Sequence, residues 1–328
     1  METYKYFNLV VDELDKEGTF ELANETTTSS TGISNLLGKI WLKELVLLGR
    51  EKAYLLQGAK EVIVPKGNKD LDVPIESSIL NPTVTTTEAA TVTWTEITNL
   101  STITVTPTPK RYAVSISSRA VMQSQVDLVN YAKRALVDGF TTDMEGAIAS
   151  AVAGASSPAA SLYGGDATST STLETGDTIT PALIADAATE LKKQKWVPEA
   201  DRPFLLYVAP EQEGTLLKDS QFTNAAEYGG NEVLLNGEIG KYMGVKVLAT
   251  PNVPAASDWG AGGNLAGHTC FAVKSKVAYV VGWQEDGKPK VDYEYFKADA
   301  THRIYLDVMY DVKALQQKAI VLIYVTDA

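Results

Sequence analysis

The sequence holds one cysteine, Cys270, and two histidines, His268 and His302, among 328 residues. A lone cysteine closes no intramolecular disulfide, so the chain is expected to fold in a reducing compartment without covalent staples. So few thiols and imidazoles leave one conceivable transition-metal set, His268, Cys270 and His302. His268 and Cys270 share one side of a strand pattern, but nothing else marks the three as ligands, and no metal site is expected. Long apolar runs are also missing: the longest, residues 319–325 (AIVLIYV), has seven residues, where a membrane-spanning helix needs about 20. The opening METYKYFNLVVDELDKEG lacks the basic-then-apolar order of a secretion signal. A soluble protein with no membrane partner is expected. Positive charge is scarce as well, with 29 Lys and Arg against 41 Asp and Glu and a net charge of -12, so nothing in the overall field draws the chain onto polyphosphate.

The motifs of common catalytic chemistry are absent too. Gly240-Lys241 is followed by Tyr242 rather than Ser or Thr and lacks the preceding spacing of a phosphate-binding loop. The run Gly260-Ala-Gly-Gly-Asn-Leu-Ala-Gly267 displaces the third glycine of a dinucleotide-binding turn, and no strand precedes it after Pro254. No Gly-x-Ser-x-Gly nucleophile elbow occurs. The carboxylates are numerous enough for any two to meet, and a solvated acidic surface explains them. Catalytic, cofactor-binding and metal residues are all expected to be none, the cofactor none, and the protein no enzyme.

What is present is core material: 45% hydrophobic and 21% charged residues, enough for a globular α+β protein of one large domain or two interlocked lobes. An acidic stretch (Asp12, Glu13, Asp15, Glu17, Glu21, Glu25) precedes an apolar helical pattern over residues 34–48 whose Leu36, Leu37, Ile40, Trp41, Leu45 and Leu48 wrap nearly all round. Such a helix must pack on something beyond its neighbours in sequence. From Ala59 the period becomes two. Between Thr83 and Thr108, 12 of 26 residues are threonine and only Glu88 and Glu96 are charged, a composition that suits strands. A long two-stranded ribbon without a helical partner is unstable alone in water, so this one is expected to project onto another surface.

After the strand pattern Tyr112, Val114, Ile116, a helix is expected over residues 118–152. Its apolar positions run from Met122 and Val126 through Leu136, Phe140 and Met144 to Ala151. Gly139 and Gly146 are candidate bends. Residues 154–180 read as a loop or connector. Thr180-Pro181 then starts a helix to about Lys195, followed by the buried strand 204–209 (FLLYVA), a further helix from Pro210 and a strand at 245–249 (VKVLA), which makes a small α/β lobe. Residues 255–267 read as a loose loop. Strands are expected at 270–281, 290–296, 301–310 and 319–325, and in the third His302, Ile304, Leu306, Val308 and Tyr310 share one face.

This order of parts resembles the major capsid proteins of tailed phages, the Hong Kong 97 phage capsid fold. The most specific local matches are Tyr112-Ala-Val-Ser-Ile-Ser-Ser118, the run from Gly237 to Pro254 (GEIGKYMGVKVLATPNVP), and RIYLDVMYDV from Arg303, in which many relatives have glycine where Asp311 stands. The resemblance implies an α+β fold with an N-terminal arm (1–58), an extended β-ribbon loop (59–114), a peripheral domain with its spine helix (115–175), an axial domain (176–268) and C-terminal strands returning to the peripheral domain (269–328). It also implies a structural protein that self-assembles into hexamers and pentamers, forming an icosahedral head that encloses double-stranded DNA without sequence-specific binding. Scaffolding, portal and decoration proteins are the further partners it implies. The 58 residues before the ribbon are too few for a built-in scaffolding domain, so a separate scaffold or none is expected. The location implied is the virion capsid, assembled in the host cytoplasm. Alternatives are an encapsulin-type nanocompartment shell around a cargo enzyme, an enzyme built on the 176–268 lobe, and a Thr-rich surface adhesin.

Overall fold

The computed structural model describes residues 53–84, 86, 91–92, 94–124, 127–218, 241–242, 244–285 and 287–327. The arm helix expected at 34–48 lies outside the described residues, and of the expected arm only 53–58 fall within them. The described chain opens with a short helix, α1 (Tyr54–Gly58), and a strand, β1 (Lys60–Val64). β2 (Leu71–Glu76) and β3 (Leu100–Val105) pair antiparallel as a separate two-stranded ribbon, and β4 (Thr108–Ser117) follows. The Thr-rich stretch is therefore not a ribbon along its whole length. Regular pairing ends at Glu76 and Leu100, and no strand occurs among the described residues of 77–99.

The single helix expected over 118–152 is two helices, α2 (Ser118–Gln123) and α3 (Leu128–Ala153). Ser124 breaks the run with an extended backbone (φ -80°, ψ 136°). Asp127 then restarts it by accepting the Asn130 amide at 3.0 Å, while Ser117 caps α2 through the Ala120 amide at 3.2 Å. Ser and Asp offer the backbone such bonds outside the helix, and here they outcompete the apolar pattern. Met122, expected in the core, is 80% exposed. The 26 residues of α3 span about 39 Å and bury Ala132, Leu136, Phe140, Met144, Ile148 and Val152, one side chain every fourth position. The helix continues through Gly139 and Gly146, both of which face open space.

The expected connector 154–180 is partly structured. β5 (Ala160–Tyr163) runs parallel to the last strand of the chain, and Leu173 and Ile179 are buried. α4 (Pro181–Lys193) begins as the sequence indicates, Thr180 Oγ1 accepting the Leu183 amide at 3.3 Å ahead of Pro181. β6 (Phe204–Val208) is buried at every residue and leads into α5 (Pro210–Lys218). Then come β7 (Lys241–Tyr242), β8 (Val245–Ala249) and β9 (Ala255–Trp259). The loose loop expected at 255–267 is in fact a hairpin of β9 with the next strand. Gly260 and Gly263 hold its turn at φ +79° and +61°, backbone angles open to glycine and costly for other residues.

The last strands are β10 (Leu265–Lys274), β11 (Tyr279–Gln284), β12 (Lys290–Phe296), β13 (Thr301–Ala314) and β14 (Ile320–Thr326). They were expected to close one unit together, but hydrogen bonding divides them. β10 and β14 join the α/β lobe in a seven-stranded sheet ordered β5-β14-β10-β6-β8-β7, with β9 also beside β10. β11, β12 and β13 form a five-stranded sheet with β1 and β4. The strand expected at 270–281 is accordingly two, and the chain passes from one sheet to the other at residues 275–278, where Lys276 takes a left-handed φ of 59°. Periodicity marks apolar strand residues but not the sheet that receives them, which depends on partners distant in sequence.

α3 lies across β4 and β13, covering Ile304, Leu306, Val308 and Tyr310, the face anticipated from alternation. Phe140 is the centre of this contact. Its ring centroid is 6.1 Å from Tyr112, 6.0 Å from Tyr310 and 6.4 Å from Trp283, the two tyrosines edge-on, the geometry the aromatic quadrupole favours.

Candidate assembly interface

Fourteen large apolar side chains are exposed among the described residues, and six of them lie between residues 79 and 100: Leu100 on the last rung of the ribbon, and Ile79, Val84, Val92, Trp94 and Ile97 beyond its paired part. Trp94 is 87% exposed. Isolated surface apolar residues need no explanation, whereas such a concentration on one segment makes it the candidate interaction surface.

The root of the ribbon is firmly built. Val73 and Val105 pack with Val280 and Leu315 in a small core of their own, flanked by Val62, Leu71, Ile75 and Ile103. Gly282 makes room for it, since a Cβ there would stand 2.2 Å from Val105 Cγ1. Asp311 accepts the Thr106 amide at 3.0 Å, so it holds the base of the ribbon while β13 runs on unbroken. Within the ribbon Asp72 accepts the Thr104 hydroxyl and Asp70 the Thr106 hydroxyl, both at 2.6 Å. Where pairing stops, Asn99 is buried and its Nδ2 donates to Glu76 Oε1 (2.9 Å) and the Ser78 carbonyl (2.6 Å). Gln316 Nε2 donates to the Glu76 carbonyl at 2.7 Å, tying the ribbon to the body. Threonine content pointed to the ribbon; Asn99, Asp311 and Gln316 carry no sequence signal, because their partners are fixed only by folding.

A second apolar stripe lies on β12. Val291, Tyr293 and Tyr295 alternate along it and are each at least a third exposed. They stand on the face that α3 covers over β13 but leaves open here, with Tyr293 and Tyr295 beside the His302 ring and Lys133 Nζ 5.8 Å from the Tyr293 ring. The alternation indicates a strand, and only the position of α3 reveals that its face is uncovered.

Half-buried polar contacts lock α3 to its sheet. Asp143 accepts hydrogen bonds from Lys110 Nζ (3.0 Å), Tyr310 Oη (3.0 Å) and Tyr112 Oη. Burial opposes its ionised form, yet the three donors outweigh burial and hold the carboxyl below its ordinary pKa. Burial, followed by contact with Asp143, pushes both phenols above their usual range.

The structure does not bring the conceivable metal set together. His268 and Cys270 are on β10 of the seven-stranded sheet, His302 is on β13 of the other, and no cluster of three potential ligands occurs among the described residues. His268 Nδ1 instead lies 2.8 Å from Asp327 Oδ1. Cys270 is fully buried, and burial pushes its thiol up to about 12, which leaves it protonated and unreactive. Gly240 lies outside the described residues, and 260–267 is the β9–β10 hairpin, not a strand-to-helix turn.

A family model described as phage capsid protein matches residues 102–323, from the ribbon to the last strand. The chain belongs to the phage capsid protein family. Its fold is that of solved phage heads and is of the Hong Kong 97 type. The capsid of Cyanophage P-SCSP1u is similar with a TM-score of 0.73 at 13% identity, over 95% of this chain and 100% of that one. The capsid of Ralstonia phage GP4 gives 0.70 at 16% identity, over 95% and 99%. The head of Helicobacter pylori bacteriophage KHP40 gives 0.66 at 12%, over 92% and 99%. No curated protein matches the sequence. As a phage capsid protein the chain is structural, and family membership favours a phage head over the encapsulin shell considered from sequence.

Proposed function

We propose that copies of this chain assemble as hexamers and pentamers into an icosahedral shell enclosing double-stranded DNA, each subunit gripping its neighbours through the ribbon. The observation that carries this reading is the ribbon itself: a well-anchored root bearing six exposed apolar side chains between residues 79 and 100. A closed shell needs a surface on every subunit that is complementary to another copy, and these side chains are buried only when one is present. The domain assignment is part of the proposal: arm 1–58, extended loop 59–114, peripheral domain 115–175 and 269–328, and axial domain 176–268, with β10 and β14 shared into the axial sheet. The net charge of -12 suits a wall that does not hold phosphates, so packed DNA slides along it. Catalysis has no part in this role. Scaffolding, portal and decoration proteins are the expected further partners, and the host cytoplasm the place of assembly.

The test is negative-stain electron microscopy with sedimentation, comparing the wild-type chain with a variant in which residues 79–98 are replaced by a short Gly-Asn turn. Closed polyhedral shells from the wild type and soluble, folded, unassembled subunits from the variant are expected. Shells of normal yield from the variant overturn the ribbon as the clasp.

A further inference from the structure

Glu145 is a fully buried carboxylate on α3 whose Oε2 accepts the Leu55 amide at 2.8 Å and whose Oε1 accepts the Leu56 amide at 3.0 Å. These are two of the orphan N–H groups at the start of α1. The carbonyls of the same turn are served from elsewhere. Tyr279 Oη, on β11 of the five-stranded sheet, donates to the Leu55 carbonyl, and Tyr207 Oη, on β6 of the seven-stranded sheet, donates to the Tyr54 carbonyl at 3.2 Å. The two phenol oxygens lie 3.4 Å apart. Burial above all keeps both phenols protonated, so that they remain donors. Gly58 closes the arrangement: a Cβ there would stand 2.5 Å and 2.6 Å from the two hydroxyls. Its carbonyl accepts the Lys276 amide at 2.7 Å, at the point where the chain crosses between the sheets. One turn of helix is thus held by side chains from α3 and from both sheets.

A carboxylate at this place is costly, since burying it sacrifices hydration that an apolar side chain of similar size would never need. In some proteins a buried charged group fixes registry rather than adding stability. We infer that Glu145 is a positioning residue that anchors Tyr54–Gly58, the root of the arm, to the spine helix α3. On this inference the root opens as a local unit without unfolding the sheets. The inference rests on the reading of the preceding residues as an assembly arm only for its consequence, that a loosened root weakens shell closure.

The experiment is amide hydrogen exchange on the full-length wild type, E145Q and E145A, with shell yield measured in parallel. In E145Q the Leu55 and Leu56 amides should exchange at least about tenfold faster, while those of Phe271 and Val273 in β10 keep their wild-type rates. Shell yield should fall several-fold at unchanged subunit solubility. E145A should show the larger local effect; if it fails to fold, E145Q carries the test. Unchanged exchange at Leu55 and Leu56 overturns the anchor, and so does equal acceleration in β10, which would make Glu145 an ordinary core residue. Faster root exchange with normal shells overturns the consequence for assembly. A wild type that closes no shells counts against the assembly reading alone, because exchange at Leu55 and Leu56 judges Glu145 without any shell.

Discussion

The ribbon tip and the strand β6 obey opposite rules. Phe204, Leu205, Leu206, Tyr207 and Val208 are all buried by their own chain, with β10 on one side and β8 on the other. Between residues 79 and 100 six large apolar side chains are left in solvent, and among the described residues no sheet pairing extends beyond Glu76 and Leu100. The first region is satisfied within one subunit; in the proposed assembly the second is satisfied by another copy. The proposed assembly would use both kinds of surface in one chain: a body that folds before assembly and a limb whose burial is deferred until neighbours arrive.

This contrast can be broken from either side. The largest effect is the replacement of residues 79–98 described above, which should abolish closed shells while moving the thermal midpoint of the subunit by no more than about 2 °C. Next, F140A empties the aromatic box between α3 and its sheet and should cost about 3–5 kcal/mol of subunit stability in urea unfolding. If F140A left stability unchanged but stopped assembly, the division between body and limb would fail. A smaller effect tests the seam where the two regions meet. G282A drives a Cβ into Val105 and should cost about 1–3 kcal/mol by overpacking, much of it recovered in G282A/V105A. Recovery absent from the double variant would show that the ribbon root does not bear on Gly282.

The smallest effect is a pH dependence. Asp143 has a folded pKa below its ordinary 3.8, so its contribution is present above that value and is lost as pH falls through the lower folded one. Its side chain is 48% exposed, and solvent screening keeps the contribution under about 1 kcal/mol. Between pH 5 and 3 the wild type should lose more thermal stability than D143N. Equal losses would remove the Lys110, Tyr112 and Tyr310 contacts from the account.

Much of the body was legible in the sequence because its signals are local. Thr180-Pro181 started α4, the run 204–209 marked β6, and alternation in 301–310 gave the buried face of β13. The break between α2 and α3 was obscured because Met122 continues the apolar spacing while Ser124 and Asp127 interrupt the backbone. The β9 hairpin was hidden in small residues, since Gly260 and Gly263 suit a tight turn as well as a loose loop. The division of the last strands between two sheets, the open face of Tyr293 and Tyr295, and the anchor at Glu145 depend on contacts between distant positions, which no period or spacing records. On the assembly surface, composition identified the ribbon but placed its paired part too near the tip.

β3 ends at Val105 and β4 begins at Thr108, so any tug on the ribbon is delivered almost directly to the first residue of β4. That strand pairs with β13 along ten residues, from Thr108 opposite Tyr310 to Ser117 opposite Thr301. A load directed along β4 is therefore shared by the rungs of the ladder at once instead of opening them one after another. In the proposed shell, subunits linked in this way would pass tension from strand to strand, as a woven fabric does, with the tensile strength in the sheet beneath the ribbon.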